Sequence, residues 1–248
     1  MKTFKDIIYK STGTAPLMLD IEVPEGEGPF PVVMYVHGGG WVSGTKDQFA
    51  KQSEAMASEG FAGVRISYRF IAPGLTFEDT VSDLLDAFEF IKKNQQKYHF
   101  DINRFAIVGA SAGAHLASLA AQKIPECKCF IGFNGIYNLL ERGNSNFGDA
   151  PEFIGTSDEA KIKASAIFQL KTPPPVTLLF HGTADVTIDY RQSVLFAEAI
   201  KARNVKAEVL LFEGESHGFF NYGKAMFEPT LEKLISFMRS QFKPGIDG

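Results

Sequence analysis

Residues 105–116 read Phe105-Ala106-Ile107-Val108-Gly109-Ala110-Ser111-Ala112-Gly113-Ala114-His115-Leu116. An apolar run of β character passes through Gly-x-Ser-x-Gly into an alanine-rich segment of high helix propensity, so strand, sharp turn and helix follow without a spacer. A serine on so tight a turn takes a strained backbone conformation. Glycines two residues to either side remove the Cβ atoms that would clash with the neighbouring strand and helix. The pattern predicts Ser111 exposed at the carboxyl end of a strand. Ordinary strand-to-helix turns share this spacing, so the chemistry depends on what the other strand ends carry.

Working outward, Val32–Val36 is almost wholly apolar, as a strand covered on both faces should be. It ends in His37-Gly38-Gly39-Gly40-Trp41-Val42-Ser43-Gly44. Three consecutive glycines cost backbone entropy, which suggests that amides there must point inward or that something approaches the main chain. An oxyanion hole asks for both, one preorganised donor being worth ~10²–10³ in rate; a flexible turn is the alternative. Further strands are predicted over Phe61–Tyr68, Lys128–Phe133, Val176–Phe180 and Ala207–Phe212. Helices are predicted over Gln48–Ser58, over Phe77–Ile91, after the elbow, over about Asp189–Arg203 and over Lys224–Phe242. The acidic side of the Phe77 helix, Asp83 included, reads as a solvated face rather than a metal site.

At the amino end, Phe4–Tyr9 and Leu17–Val23 read as an antiparallel edge hairpin joined by a Ser-Thr-Gly-Thr turn. In its second strand Leu17, Leu19, Ile21 and Val23 alternate with Met18, Asp20 and Glu22 in a half-buried pattern. The whole alternation predicts an α/β fold in one domain, residues 1–248, with a mostly parallel central sheet of about eight strands and helices on both faces. Ligands would bind beyond the carboxyl ends of the strands. Residues 134–175 have weak periodicity; they read as a lid-like insertion or substrate wall, or as a surface excursion that packs its own aromatics.

The 248 residues carry a net charge of -4 and no long basic run, which argues against a nucleic-acid partner. Cys127 and Cys129 are expected as buried reduced thiols on one face of a strand. With no apolar signal core in Met1–Ile8 and no run of membrane-spanning length, a cytoplasmic location and no membrane partner are expected.

Three polar residues each follow an apolar strand: Ser111, Asp185 in His181-Gly182-Thr183-Ala184-Asp185, and His217 in Glu213-Gly214-Glu215-Ser216-His217-Gly218-Phe219-Phe220. Carboxyl ends of parallel strands lie along one edge, so these residues can converge, and nucleophile, acid, base is a workable order. His217 would take the proton of Ser111 while Asp185 fixes the imidazole tautomer; Asp189 is the rival acid. His37 and His181 are assigned to loop hydrogen bonding and His115 to packing or support. No close-spaced His and carboxylate set suggests a metal, and no cofactor is called for.

The set His37–Trp41, Tyr68-Arg69, Gly109–Gly113, His181–Asp185 and Ser216–Phe219 resembles the α/β-hydrolase esterases with a His-Gly-Gly-Gly loop. Within these the chain is most similar to the compact feruloyl and acetyl esterase group that includes bacterial acetylxylan esterases. It departs from the related hormone-sensitive-lipase branch: about thirty residues precede Val32, and the run after Tyr68 is Arg69-Phe70-Ile71-Ala72-Pro73-Gly74. The resemblance implies a serine esterase of short acyl groups with a small-molecule ester as partner, homo-oligomer formation being open. It implies the triad Ser111, Asp185 and His217 and oxyanion donors at Gly39, Gly40 and Ala112. Substrate contacts are expected at Trp41 and Phe219, in a pocket whose shape depends on how Trp41, Tyr137, Phe147, Phe153, Phe219 and Phe220 are arranged. The other readings are an arylformamidase of the kynurenine type, whose loop and elbow are similar, and a hydrolase-fold binding protein that no longer catalyses.

Overall fold

The computed structural model describes residues 1–13, 15–148 and 150–242. Thr14 of the expected hairpin turn, Asp149 of the 134–175 segment and positions 243–248 lie outside the described residues. One sheet contains β1 (Lys2–Lys10), β2 (Leu17–Val23), β3 (Phe30–Val36), β4 (Ala62–Ile66), β5 (Phe100–Ala110), β6 (Cys127–Phe133), β7 (Val176–Gly182) and β8 (Ala207–Phe212). Its order is β1-β2-β4-β3-β5-β6-β7-β8. The β1–β2 and β2–β4 pairs are antiparallel and the rest parallel, as expected of an α/β-hydrolase sheet with an amino-terminal edge hairpin.

The helices are α1 (Ala50–Ser58), α2 (Phe77–Lys93), α3 (Gln95–Tyr98), α4 (Ala112–Lys123), α5 (Pro151–Ile154), α6 (Asp158–Lys163), α7 (Arg191–Lys201) and α8 (Phe227–Gln241). They cover the sheet on both faces, and the strand period of two divides the core accordingly. Val32, Met34 and Val36 of β3 join Phe105 and Ile107 of β5 in one cluster with Leu84 and Phe88 of α2, Leu116 of α4 and Phe196 of α7. Val33, Tyr35, Ala106 and Val108 face the other way, against Met56 of α1 and Leu234, Phe237 and Met238 of α8. With the central strands buried on both faces, their carboxyl ends form a rigid rim. No helix among the described residues is long and apolar enough to cross a membrane.

Three expectations change. Asp20 and Glu22 do not face water: each is 1% exposed, because Arg65 of β4 lies between them, donating to Asp20 Oδ2 at 3.1 Å and Glu22 Oε1 at 2.8 Å. Lys46 reaches Asp20 and the Ser53 hydroxyl donates to Glu22, so both carboxylates are paired where burial demands it. Asp83 is likewise buried rather than solvated, held in a fork by Arg69 and by Lys10 at 2.7 Å. The two free cysteines are buried but belong to opposite faces, Cys127 to the α2 side and Cys129 to the α8 side. The cause is a register irregularity: consecutive Phe105 and Ala106 pair with Cys127 and Cys129, so Lys128 is an extra residue that flips the alternation.

Candidate active site

Ser111 sits between β5 and α4 with φ 52° and ψ -122°, in the left-handed half of backbone space that a side chain rarely enters. Its amide donates to the Phe133 carbonyl at 2.8 Å, which ties the turn to β6. Its Oγ lies 3.1 Å from His217 Nε2, and His217 Nδ1 lies 2.7 Å from Asp185 Oδ2. Since a carboxylate only accepts, Nδ1 carries the hydrogen and Nε2 presents its lone pair to the serine hydroxyl.

Asp185 is itself held from several directions. Oδ1 accepts the amides of Thr187 at 2.9 Å and Ile188 at 3.0 Å; Oδ2 accepts the Asn134 side-chain amide at 2.6 Å. His181 Nε2–H is shared between the Ile188 carbonyl at 3.0 Å and Asp185 Oδ2 at 3.4 Å. Burial by itself would raise the carboxyl pKa. Hydrogen bonds from His181, His217, the Ile188 amide and Asn134 outweigh it and hold the group well below the ordinary carboxylate range. The rival Asp189 points elsewhere, accepting the Asn144 and Arg191 amides at 2.8 and 3.0 Å.

The glycine loop stands against the elbow. Gly39 has φ +126°, and a Cβ there would fall 2.0 Å from the Ser43 carbonyl oxygen, so only glycine fits. The Gly38 amide is occupied, donating to Gln48 Oε1 at 2.7 Å, whereas among the described residues those of Gly39, Gly40 and Ala112 donate to no protein acceptor. His37 donates from Nδ1 to the Gly38 carbonyl at 2.7 Å and stacks on Tyr68, whose hydroxyl donates to the His37 carbonyl at 2.8 Å. Burial pushes the His37 pKa down.

A cavity of about 310 Å³ opens between these parts, lined by Gly38–Trp41, Ser111, Ala112, Ile136, Phe147, His217 and Phe220 among others. The contribution of the 134–175 segment is thus Ile136 and Phe147. Its Tyr137 is fully buried and stacks on Phe196, and Phe153 packs inward beside Trp41. Among the described residues no group of three His, Cys, Asp or Glu side chains could hold a metal ion.

A family model described as BD-FAE matches residues 19–200. The chain belongs to the BD-FAE family. The isoprenylcysteine alpha-carbonyl methylesterase ICME of Arabidopsis thaliana is 29% identical over 227 residues, covering 80% of this chain and 53% of that protein. The chain spans about half the length of the curated relatives it matches first. A thermophilic esterase from Thermogutta terrifontis, Est2 with butyrate bound, superposes with a TM-score of 0.84 at 27% identity, covering 97% of this chain and 95% of that one. Esterase 2 of that organism phosphonylated by sarin gives 0.84 at 27% identity over 94% and 93% of the two chains. Fold and family are those of an α/β-hydrolase esterase.

In this BD-FAE chain one expected substrate contact moves. Phe219 is 3% exposed and packs on Phe212 and Phe220 in the α8-side core, off the cavity lining; Phe220, which is on that lining, shares the same core cluster and packs on Phe49 and Phe133. The sequence reading also passed over Asn134, which holds Asp185, and Gln48, which joins Gly38 to Asn221 Oδ1 at 3.1 Å.

Proposed function

We propose that this chain is a serine carboxylesterase that removes short acyl groups, acetyl among them, from small sugar, aryl or alkyl alcohols through an acyl-enzyme. The observation that carries this reading is the unbroken run from Asp185 through His217 to Ser111, at 2.7 and 3.1 Å, at the wall of the cavity. The volume of about 310 Å³ lies at the small end of ligand sites, which suits a short acyl chain. The butyrate bound by the Thermogutta terrifontis esterase and that enzyme's phosphonylation agree with it.

His217 Nε2 takes the Ser111 proton as Oγ attacks the ester carbonyl carbon. The tetrahedral oxyanion lies among the amides of Gly39, Gly40 and Ala112, preorganised by the loop and by the start of α4. The ionised Asp185 stabilises the imidazolium formed in that step. His217 then returns the proton to the departing alkoxide, leaving an acyl-serine, and the same base activates water to release the acid.

The test is turnover of p-nitrophenyl acetate, butyrate and octanoate by the parent and Ser111→Ala proteins, with labelling by an organophosphonate. We expect acetate and butyrate to be preferred, label on Ser111, and activity in the variant down on the order of 10⁴–10⁶-fold. Undiminished turnover in Ser111→Ala refutes the nucleophile, and N-formylkynurenine turned over faster than any acetyl ester refutes the substrate class.

A further inference from the structure

Trp41 is the chain's only tryptophan and is 3% exposed. It lines the cavity and lies between Phe147 and Phe153, ring centroids at 6.1 and 6.0 Å. A buried indole N–H requires an acceptor. Here it is His115 Nδ1, at 3.2 Å.

His115 stands on α4 one turn after Ser111, its amide donating to the Ser111 carbonyl at 3.1 Å. Its other ring nitrogen, Nε2, lies 2.7 Å from the Ala164 carbonyl. A carbonyl only accepts, so Nε2 carries the hydrogen and Nδ1 offers a lone pair to the indole. Burial pulls the His115 pKa down to about 4, so the ring is neutral and Nδ1 remains an acceptor at neutral pH. One tautomer of one imidazole therefore joins the glycine loop, the elbow helix and the 134–175 segment.

We propose that His115 is a positioning residue: it fixes the indole of Trp41 against Phe147 and Phe153 and so sets which acyl lengths the cavity accepts. The chain-length part rests on the ester-hydrolase reading; the placement of the indole does not. Phenylalanine at 115 would keep a ring of similar size and remove the acceptor. Glutamine would restore both bonds, its carbonyl accepting from the indole and its amide donating to Ala164.

A lone tryptophan makes the test direct. Fluorescence is read in the full-length Ser111→Ala background, and kcat/KM for p-nitrophenyl acetate, butyrate and octanoate in the Ser111 protein. His115→Phe is expected to red-shift Trp41 emission, to increase acrylamide quenching, and to change the butyrate-to-acetate ratio of kcat/KM by about tenfold, the scale on which a pocket discriminates one methylene. His115→Gln is expected to recover both. His115→Asn, too short to bridge the indole and Ala164, replaces His115→Phe if the latter does not fold, with the same expectations. Parent-like emission and ratio in either folded variant overturn the proposal, as does a uniform loss across all esters with emission unchanged. Trp41→Phe cannot use His115 and is expected to shift the same ratio; an unchanged ratio there overturns the proposal whatever the His115 variants do. Absence of ester turnover in the parent defeats the ester-hydrolase reading, and emission alone then decides the placement of the indole.

Discussion

Gly113 touches the backbone of His37: a Cβ built on Gly113 would lie 2.2 Å from the His37 carbonyl oxygen and 2.4 Å from that of Val36. The start of α4 is therefore pressed onto the end of β3 at the point where the glycine loop departs. The proposed oxyanion donors come from both sides of that contact, Ala112 from the helix and Gly39 and Gly40 from the loop. That backbone contact sets how closely the two sides can approach.

Gly113→Ala must separate the two backbones by an amount that no rotamer change can absorb. We expect a destabilisation of about 1–3 kcal/mol, as for overpacking in a close-packed core. Because the displaced atoms carry the oxyanion donors, kcat on p-nitrophenyl acetate should fall further than the loss of folded protein explains. Urea denaturation and active-site titration by an organophosphonate, run on the same sample, separate the two effects.

Asn134 donates to Asp185 Oδ2 at 2.6 Å, the atom that also receives His217 Nδ1–H. Its backbone has φ 48°, which asparagine tolerates and glycine adopts freely, so Asn134→Gly removes the side chain without straining the turn. A hydrogen bond to a charged group is worth ~1.5–3 kcal/mol, so kcat should fall about tenfold to hundredfold with KM little changed. Asp185→Asn, which takes the tautomer control away altogether, should cost on the order of 10⁴ in kcat. Steady-state kinetics of the two variants, side by side, check both figures.

The legible parts of the fold were those where one strand, one period and one chain end suffice. The apolar runs ending in His37, Ser111, Asp185 and His217 announced parallel strands with chemistry at their carboxyl ends, and the structure brings the last three within hydrogen-bond distance. What escaped depends on a partner far away in the chain. Asp20 and Glu22 alternate as if solvated, and only Arg65, on a strand over forty residues later, shows that their side is covered. Cys127 and Cys129 follow the period-two rule in sequence, while the pairing with β5 breaks it. Asn134 and Gln48 carry no motif; Asp185 lies 51 residues beyond the one, and Asn221 173 beyond the other. Between Phe219 and Phe220 composition offers no choice, and both end in the α8-side core, with only Phe220 on the cavity lining.

His115 gives the protein a stability that depends on pH. Burial lowers its pKa to about 4, against ~6.5 for an exposed imidazole, so the unfolded chain takes up this proton first as pH falls. The contribution of the neutral ring is complete above about pH 6.5 and is lost progressively between about 6.5 and 4. Roughly 2.5 units at ~1.36 kcal/mol each amount to about 3 kcal/mol. His115→Gln does not titrate in this window, so parent stability minus variant stability should fall by about 3 kcal/mol from pH 7 to pH 4. His37, whose pKa burial also lowers, is present in both proteins and cancels. Urea denaturation at a series of pH values measures the difference, and a flat difference refutes the linkage.

Gln48 connects the two loops that must cooperate at the carbonyl of the substrate. Its Oε1 accepts the Gly38 amide at 2.7 Å and its Nε2 donates to Asn221 Oδ1 at 3.1 Å, so one side chain ties the glycine loop to the turn that follows His217. Gln48→Met keeps nearly the same volume and loses both bonds. The Gly38 amide is then unpaired, and the loop is free to turn it toward the cavity, displacing Gly39 and Gly40 from their proposed aim. Loss of one oxyanion donor outright costs ~10²–10³ in rate, and misplacement short of loss should cost less, about tenfold in kcat. Gln48 lies at the cavity wall, but its bonds go to the loop and the turn, so the loss should fall on kcat and KM for p-nitrophenyl acetate should stay within about twofold. A variant that instead raises KM at constant kcat would place Gln48 in substrate binding and remove it from the support of the oxyanion loop.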